Sequence, residues 1–204
     1  NSGTFGRLIL GLLIKSPQKI KLIGDKSLSK RDFSRVTEPL QKFGAKFNYE
    51  TKNKLPLFIQ GSESSKGIKY LEDKGSAQCK SSVMLAALNA SGTTSIKAKK
   101  SRNHTELLFQ YLKIPTKIKK TKKYDFIDIK PPKKIKAFNY QIPGDISSSA
   151  FFIVLTILAN DSRLLIKNVN INSSRIGVVT ILKKMGAKIL LKNQRNYRGE
   201  KISD

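Results

Sequence analysis

The apolar positions of this chain fall into short periodic segments, and the pattern repeats. Residues 8–14 form an apolar run behind Asn1-Ser2-Gly3-Thr4-Phe5-Gly6-Arg7, where small and hydroxylated residues mark a helix N-terminus. Residues 19–23 alternate and predict a strand ended by Gly24-Asp25. Helix signals follow over 32–43, with Pro39 as a cost or kink and Gly44 placed as a left-handed cap. Strands are predicted at 46–50, 57–60 and 67–71. A second cycle opens at Gly75-Ser76-Ala77-Gln78, with a helix to 90, a strand at 94–98, a helix to 113 and lysine-rich strands to 129. A third opens at Pro143-Gly144-Asp145, with a helix over 150–159, a strand over 163–169, a helix over 175–185 and a strand over 188–192. Residues 193–204 are polar and read as a turn and a frayed end.

The cycles are related in sequence. Leu40-Gln41-Lys42-Phe43-Gly44-Ala45-Lys46-Phe47 matches Leu182-Lys183-Lys184-Met185-Gly186-Ala187-Lys188-Ile189, and the two glycines lie 142 positions apart, twice 71. The middle copy then falls near Leu112-Lys113-Ile114-Pro115. Three helix–strand–helix–strand units of about 70 residues predict an α/β subdomain multiplied by duplication. Each opens with small polar residues at a helix start. One such start is simply a capped helix; three together suggest an anion-attracting surface.

Composition narrows the classes. The chain has 204 residues, 39% of them hydrophobic, enough for one large or two small domains. No apolar run approaches the roughly 18 to 20 residues of a membrane span, so no membrane association is expected. Cys79 is the single cysteine, which excludes an internal disulfide and a cysteine zinc site and fits a cytoplasmic protein. The helix around Cys79 is apolar, so it reads as a buried small residue; His104, the one histidine, reads as structural support. The chain begins without methionine, which suggests a fragment or processed product. The formal charge of +26 raises nucleic acid as a partner. The lysines alternate with apolar residues, as in Lys117-Ile118-Lys119, which reads as the solvated face of strands; no nucleic-acid partner is expected, and only Tyr124 and Phe126 offer stacking rings there.

Six motifs, in order, resemble 5-enolpyruvylshikimate-3-phosphate synthases. They are Asn1-Ser2-Gly3-Thr4 with Arg7; Gly24-Asp25 followed by Ser27-Leu28-Ser29-Lys30-Arg31; Gly75-Ser76-Ala77-Gln78-Cys79-Lys80; Ser101-Arg102-Asn103-His104-Thr105-Glu106; Pro143-Gly144-Asp145-Ile146-Ser147-Ser148; and Met185-Gly186-Ala187. The resemblance implies an α/β enzyme of two domains built from repeated βαβαββ subdomains, of which residues 1–143 are most of the first, about two repeat units. Residues 144–204 are the start of the second, one incomplete unit. It implies transfer of the enolpyruvyl group of phosphoenolpyruvate to the 5-hydroxyl of shikimate 3-phosphate with release of phosphate. No metal or organic cofactor is implied, and the enzyme is expected to be a cytoplasmic monomer. By the same resemblance Gly3, Arg31 and Gln78 bind phosphoenolpyruvate. Ser76, Ala77, Gln78, Ser101 and Arg102 bind shikimate 3-phosphate. A glycine at Gly3 is associated in the family with glyphosate sensitivity.

The chain departs from the family pattern at Phe5-Gly6, Asp32, Asn103 and Leu107. Asp32 could partly neutralise Arg31 or merely cap the following helix. The family's proton-moving groups fall outside this chain, so the fragment alone is expected to be inactive. Two rivals remain: a UDP-N-acetylglucosamine enolpyruvyl transferase, disfavoured by the Ser-Ala-Gln and Ser-Arg-x-His-Thr-Glu motifs, and a basic nucleic-acid-binding protein.

Overall fold

The computed structural model describes all residues 1–204 and divides into two compact units, Asn1–Ser101 with Lys113–Ile135, and Arg102–Leu112 with Lys136–Asp204.

In the first unit, helix α1 (Gly3–Leu12) runs into a short 3-10 turn and then strand β1 (Lys19–Leu22). Helices α2 (Lys26–Ser29) and α3 (Ser34–Gln41) lead to strands β2 (Lys46–Tyr49) and β3 (Leu57–Gln60). Strand β4 (Lys69–Glu72), helix α4 (Ala77–Ala87) and strand β5 (Thr94–Lys99) follow, and strands β6 (Thr116–Lys120) and β7 (Tyr124–Ile129) complete the unit. The hydroxyl of Ser2 accepts the Phe5 N–H at the start of α1, and that of Ser76 accepts the Cys79 N–H at the start of α4. Each thus satisfies one of the donors a helix start leaves open. Helix α4 is buried on nearly every side, Cys79 and Lys80 included, and packs against α1. The core gathers Leu10, Ile14, Phe33, Leu40, Val83 and Met84, all wholly buried. Pro39 lies inside α3 and is buried without ending the helix.

The second unit holds helix α5 (His104–Tyr111), helix α6 (Ile146–Leu158), strand β8 (Val169–Asn170), helix α7 (Gly177–Lys184) and the hairpin β9 (Arg195–Tyr197) and β10 (Glu200–Ser203). Asp145 caps α6 by accepting the Ser147 N–H at 3.0 Å. The core here is small, with Ile146, Val169 and Val179 buried and Ile153, Ile166 and Ile189 packed on it. Helix α6 leaves an apolar face open, with Phe151 80% and Leu158 77% exposed.

Sheet topology carries the threefold repeat. The middle copy is a complete βαβαββ unit in the order β4-β5-β7-β6, with β4 parallel to β5 and the other pairs antiparallel. The first copy has β1-β3-β2 and the third β8-β10-β9, the same arrangement without the leading strand. In the third copy, a parallel bridge between Gly144 and Val169 stands where that strand would be. The second helix of each copy ends in a left-handed residue, Gly44 (φ 101°), Lys113 (φ 56°) and Gly186 (φ 95°). At Gly186 the cap is a full Schellman motif, with Gly186 N–H on Lys183 O and Ala187 N–H on Leu182 O, both at 3.0 Å.

Three sequence expectations are corrected. The strand expected over 163–169 survives only as β8, and Leu165 is 65% exposed. Residues 188–192 form no strand, although the backbone of Lys192 exchanges two hydrogen bonds with Asp204. The expected frayed end is instead the β9–β10 hairpin, with Ile202 and Ser203 buried. Its two turn residues, Arg198 and Gly199, both have positive φ (49° and 92°), as a type I′ hairpin turn needs.

Candidate functional site

The first unit gathers several of the expected residues around the start of α1. A Cβ built on Gly3 would lie 2.9 Å from Nη1 of Arg31 and 3.2 Å from Nη1 of Arg7. The two guanidinium nitrogens therefore lie within about 6 Å of each other, and neither residue makes an ion pair. Like charges that close repel by between about 0.7 and about 3 kcal/mol, from water to an effective dielectric of 20. Arg31 is exposed, which puts the value toward the lower end. An anion set between them removes the repulsion and gains both attractions.

Arg7 is the residue that ties the cluster together. Its Nη1 donates to Gly3 O at 3.3 Å and to Gln78 Oε1 at 3.2 Å, and its Nη2 donates to Asp32 O at 3.2 Å. The guanidinium lies 5.2 Å over the Phe33 ring. Gln78, in the first turn of α4, donates from Nε2 to Thr4 Oγ1 at 2.8 Å. Arg7 belongs to the first motif, but no binding role was assigned to it from sequence. Its role is visible only once residues 71 and 25 positions away are brought to it.

Beside this cluster opens a cavity of about 650 Å³, lined among others by Arg7, Arg31, Arg35, Tyr70 and Ser76. Asp32, Glu38, Glu72 and Asp73 also line it, so the close guanidinium pair, rather than the net charge of the walls, is what favours an anion. Asp32 turns its carboxylate to Ser34. Its carboxylate accepts both the backbone N–H of Ser34, at 2.7 Å, and the Ser34 hydroxyl. These bonds hold its carboxyl below the usual carboxylate range. It bonds the first residue of α3 and makes no ion pair with Arg31. Burial pushes the Tyr70 phenol far up, so it faces the cavity as a neutral donor.

Ser76 and Ala77 sit at the N-terminus of α4, beyond the end of β4. Ser101 follows β5, the parallel neighbour of β4, so both loops leave the sheet at the C-terminal ends of these two strands. The Ser101 Oγ is buried without a hydrogen-bond partner in the protein. Arg102 opens the second unit and is exposed. Cys79 is buried, as expected for a packing residue.

The second unit has its own polar cluster. The His104 Nδ1 donates to Glu200 Oε1 at 2.5 Å, and Asn172 Nδ2 donates to Glu200 Oε2 at 3.2 Å and to Asn103 Oδ1 at 2.9 Å. Burial alone would raise the Glu200 carboxyl, but hydrogen bonds from His104, Asn170 and Asn172 outweigh it and hold it below its ordinary value. His104 is thus the structural support it was read as. A cavity of about 230 Å³ adjoins this pair and reaches Asp145 and Arg175, which form an ion pair at 3.2 Å. No group of three or more His, Cys, Asp or Glu residues is placed to hold a metal ion, and no helix is long and apolar enough to cross a membrane.

The sequence family described as EPSP synthase (3-phosphoshikimate 1-carboxyvinyltransferase) matches residues 1–202. The chain belongs to that family. It is 41% identical over 205 residues to the 3-phosphoshikimate 1-carboxyvinyltransferase of Thermoanaerobacter sp. (strain X514), covering 100% of this chain and 47% of the relative. It is 39% identical over 206 residues to the protein of that name from Bacillus subtilis (strain 168), again covering 47% of the relative. Among solved structures, the EPSP synthase of Acinetobacter baumannii superposes with a TM-score of 0.83 at 36% identity, covering 100% of this chain and 45% of that one. The chain spans about half the length of the EPSP synthase family members it matches. Family membership accords with the mixed α/β repeat seen here.

Proposed function

We propose that this chain supplies the anion-binding part of an enolpyruvyl transferase, which moves the enolpyruvyl group of phosphoenolpyruvate to the 5-hydroxyl of shikimate 3-phosphate and releases phosphate. The observation that carries this reading is the unneutralised pair Arg7 and Arg31 converging on Gly3, in a chain of the EPSP synthase family. Both substrates are anions, and fixed guanidinium groups with preorganised donors are what their binding and the charge developing in transfer require.

In this account Gly3, Arg31 and Gln78 hold phosphoenolpyruvate. Arg31 forks onto an anionic group, and Gly3 stays small so that the donor and the guanidinium can approach its Cα. Ser76, Ala77, Gln78, Ser101 and Arg102 hold shikimate 3-phosphate. The buried, unpartnered Ser101 hydroxyl supplies a donor that protein contacts leave unused. Residues 1–143 form most of the first domain of the longer protein and 144–204 the start of its second. The proton-moving groups lie elsewhere, so the chain by itself supplies part of a substrate cleft but does not turn over. The enzyme works as a cytoplasmic monomer without a cofactor, and Gly3 is the glycine that the family associates with glyphosate sensitivity.

The test is the KM for phosphoenolpyruvate in the full-length protein carrying Arg31→Ala. Loss of a charge-assisted hydrogen bond of about 1.5–3 kcal/mol predicts a rise of roughly 10- to 150-fold. An unchanged KM removes Arg31 from the site.

A further inference from the structure

The Gln78 carboxamide has two ends of nearly equal shape and opposite chemistry, and the surroundings decide which end faces where. Its oxygen meets the Arg7 guanidinium at 3.2 Å and its nitrogen meets the Thr4 hydroxyl at 2.8 Å. Arginine has only donors, so a flipped amide would set N–H groups against a cation. Arg7 therefore fixes the orientation and leaves the second Nε2 hydrogen of Gln78 without an acceptor in the protein.

The same guanidinium reaches two further segments. It donates to Gly3 O in α1 and to Asp32 O directly after Arg31, so one rigid fork joins α1, the Arg31 loop and α4. All three acceptors are neutral, and the guanidinium carbon lies 5.2 Å from the Phe33 ring centroid, within cation–π reach. We propose that Arg7, besides lending its charge to the pair with Arg31, is a positioning residue: it aims the Gln78 donor and holds the Arg31 loop beside Gly3. This rests on the enolpyruvyl-transfer reading above. Lysine at this position keeps the charge but is a point donor without a planar fork, and cannot span three segments.

The experiment is a double-mutant cycle in the full-length protein, comparing Arg7→Lys, Gln78→Ala and the double variant by kcat/KM. Contacting residues in one network are coupled, so Arg7→Lys alone is expected to lose about tenfold or more, and several-fold less when Gln78 is already alanine, the remainder reporting its hold on the Arg31 loop. Melting temperatures of the folded variants should not track these losses. An equal loss in both backgrounds overturns the proposal, because Arg7 then acts independently of Gln78. A readout that needs neither turnover nor a folded Arg7 variant comes from NMR of the unmutated protein. The Arg7 Nη hydrogens should exchange slowly and show contacts to the Gln78 side chain; fast exchange without those contacts also overturns it. Absence of turnover in the unmutated protein would count against enolpyruvyl transfer, whereas the NMR result tests the Arg7 fork separately.

Discussion

Replacing Gly3 by alanine separates binding from stability in a way the geometry specifies. The new Cβ would sit 2.9 Å from Arg31 Nη1 and 3.2 Å from Arg7 Nη1, against an ordinary contact of about 3.5 Å. Arg31 must then retreat by about 0.6 Å and Arg7 by about 0.3 Å. Both offending atoms are ends of flexible side chains, so the fold gives way there at little cost. Gly3 is also the first residue of α1, where alanine loses less conformational freedom on folding and adds up to about 0.5–1 kcal/mol. Stability should therefore hold or rise slightly, by no more than about 2–4 °C in melting temperature. Binding moves the other way. A charge-assisted bond near 2.8 Å that is stretched by about 0.6 Å is largely lost, about 1.5–3 kcal/mol, or roughly 10- to 150-fold in KM for phosphoenolpyruvate. Steady-state kinetics on the full-length protein, with a thermal melt of the same preparation, measures both. An unchanged KM would refute the reasoning, and so would a melting temperature lowered by several degrees with binding intact, which would make Gly3 a packing residue.

Two further predictions concern stability. Lys113 takes a left-handed conformation (φ 56°) where the first and third copies have glycine, at a cost of about 1–2 kcal/mol. Lys113→Gly returns part of that cost to unfolded-chain entropy, so calorimetry should show a net gain of about 0.5–1 kcal/mol; a loss would mean the lysine side chain makes a contact worth more. Glu200 has a folded-state pKa below its ordinary 4.5, so its contribution is present above that value and is lost as pH falls through and below it. Urea midpoints taken from about pH 6 down to about pH 3 should fall less steeply in Glu200→Gln than in the unmutated protein, and parallel curves would contradict the assignment.

Much of the fold was legible because local chemistry and global topology agree. The small polar residues that open each cycle hold the caps: Ser2, Ser76 and Asp145 each accept a backbone N–H of the following helix, although α6 begins at Ile146 rather than at 150. The spacing of Gly44 and Gly186 exposed the repeat that the three sheets share. The errors fall where pattern alone lacks a partner. Residues 163–168 and 188–192 are apolar enough for strands, but most of them have no neighbouring strand to pair with, and Leu165 and Leu190 stay exposed. The closing hairpin was missed because its residues are polar, although Arg198-Gly199 between Asn196-Tyr197 and Glu200-Lys201-Ile202 is a two-residue turn signal. At the site, motif order pointed to Gly3, Arg31 and Gln78 separately. That Arg7 joins them is a long-range fact, which depends on α1, the Arg31 loop and α4 meeting. That Asp32 bonds Ser34 is likewise visible only in the structure.

The most direct test of the central claim is product analysis by mass spectrometry of the full-length protein incubated with phosphoenolpyruvate and shikimate 3-phosphate. The expected product is an enolpyruvyl ether at the 5-hydroxyl with one phosphate released per product, requiring both substrates and strongly diminished by Arg31→Ala at limiting phosphoenolpyruvate. A folded full-length protein that forms no such product, or forms it equally well with Arg31→Ala, would contradict it.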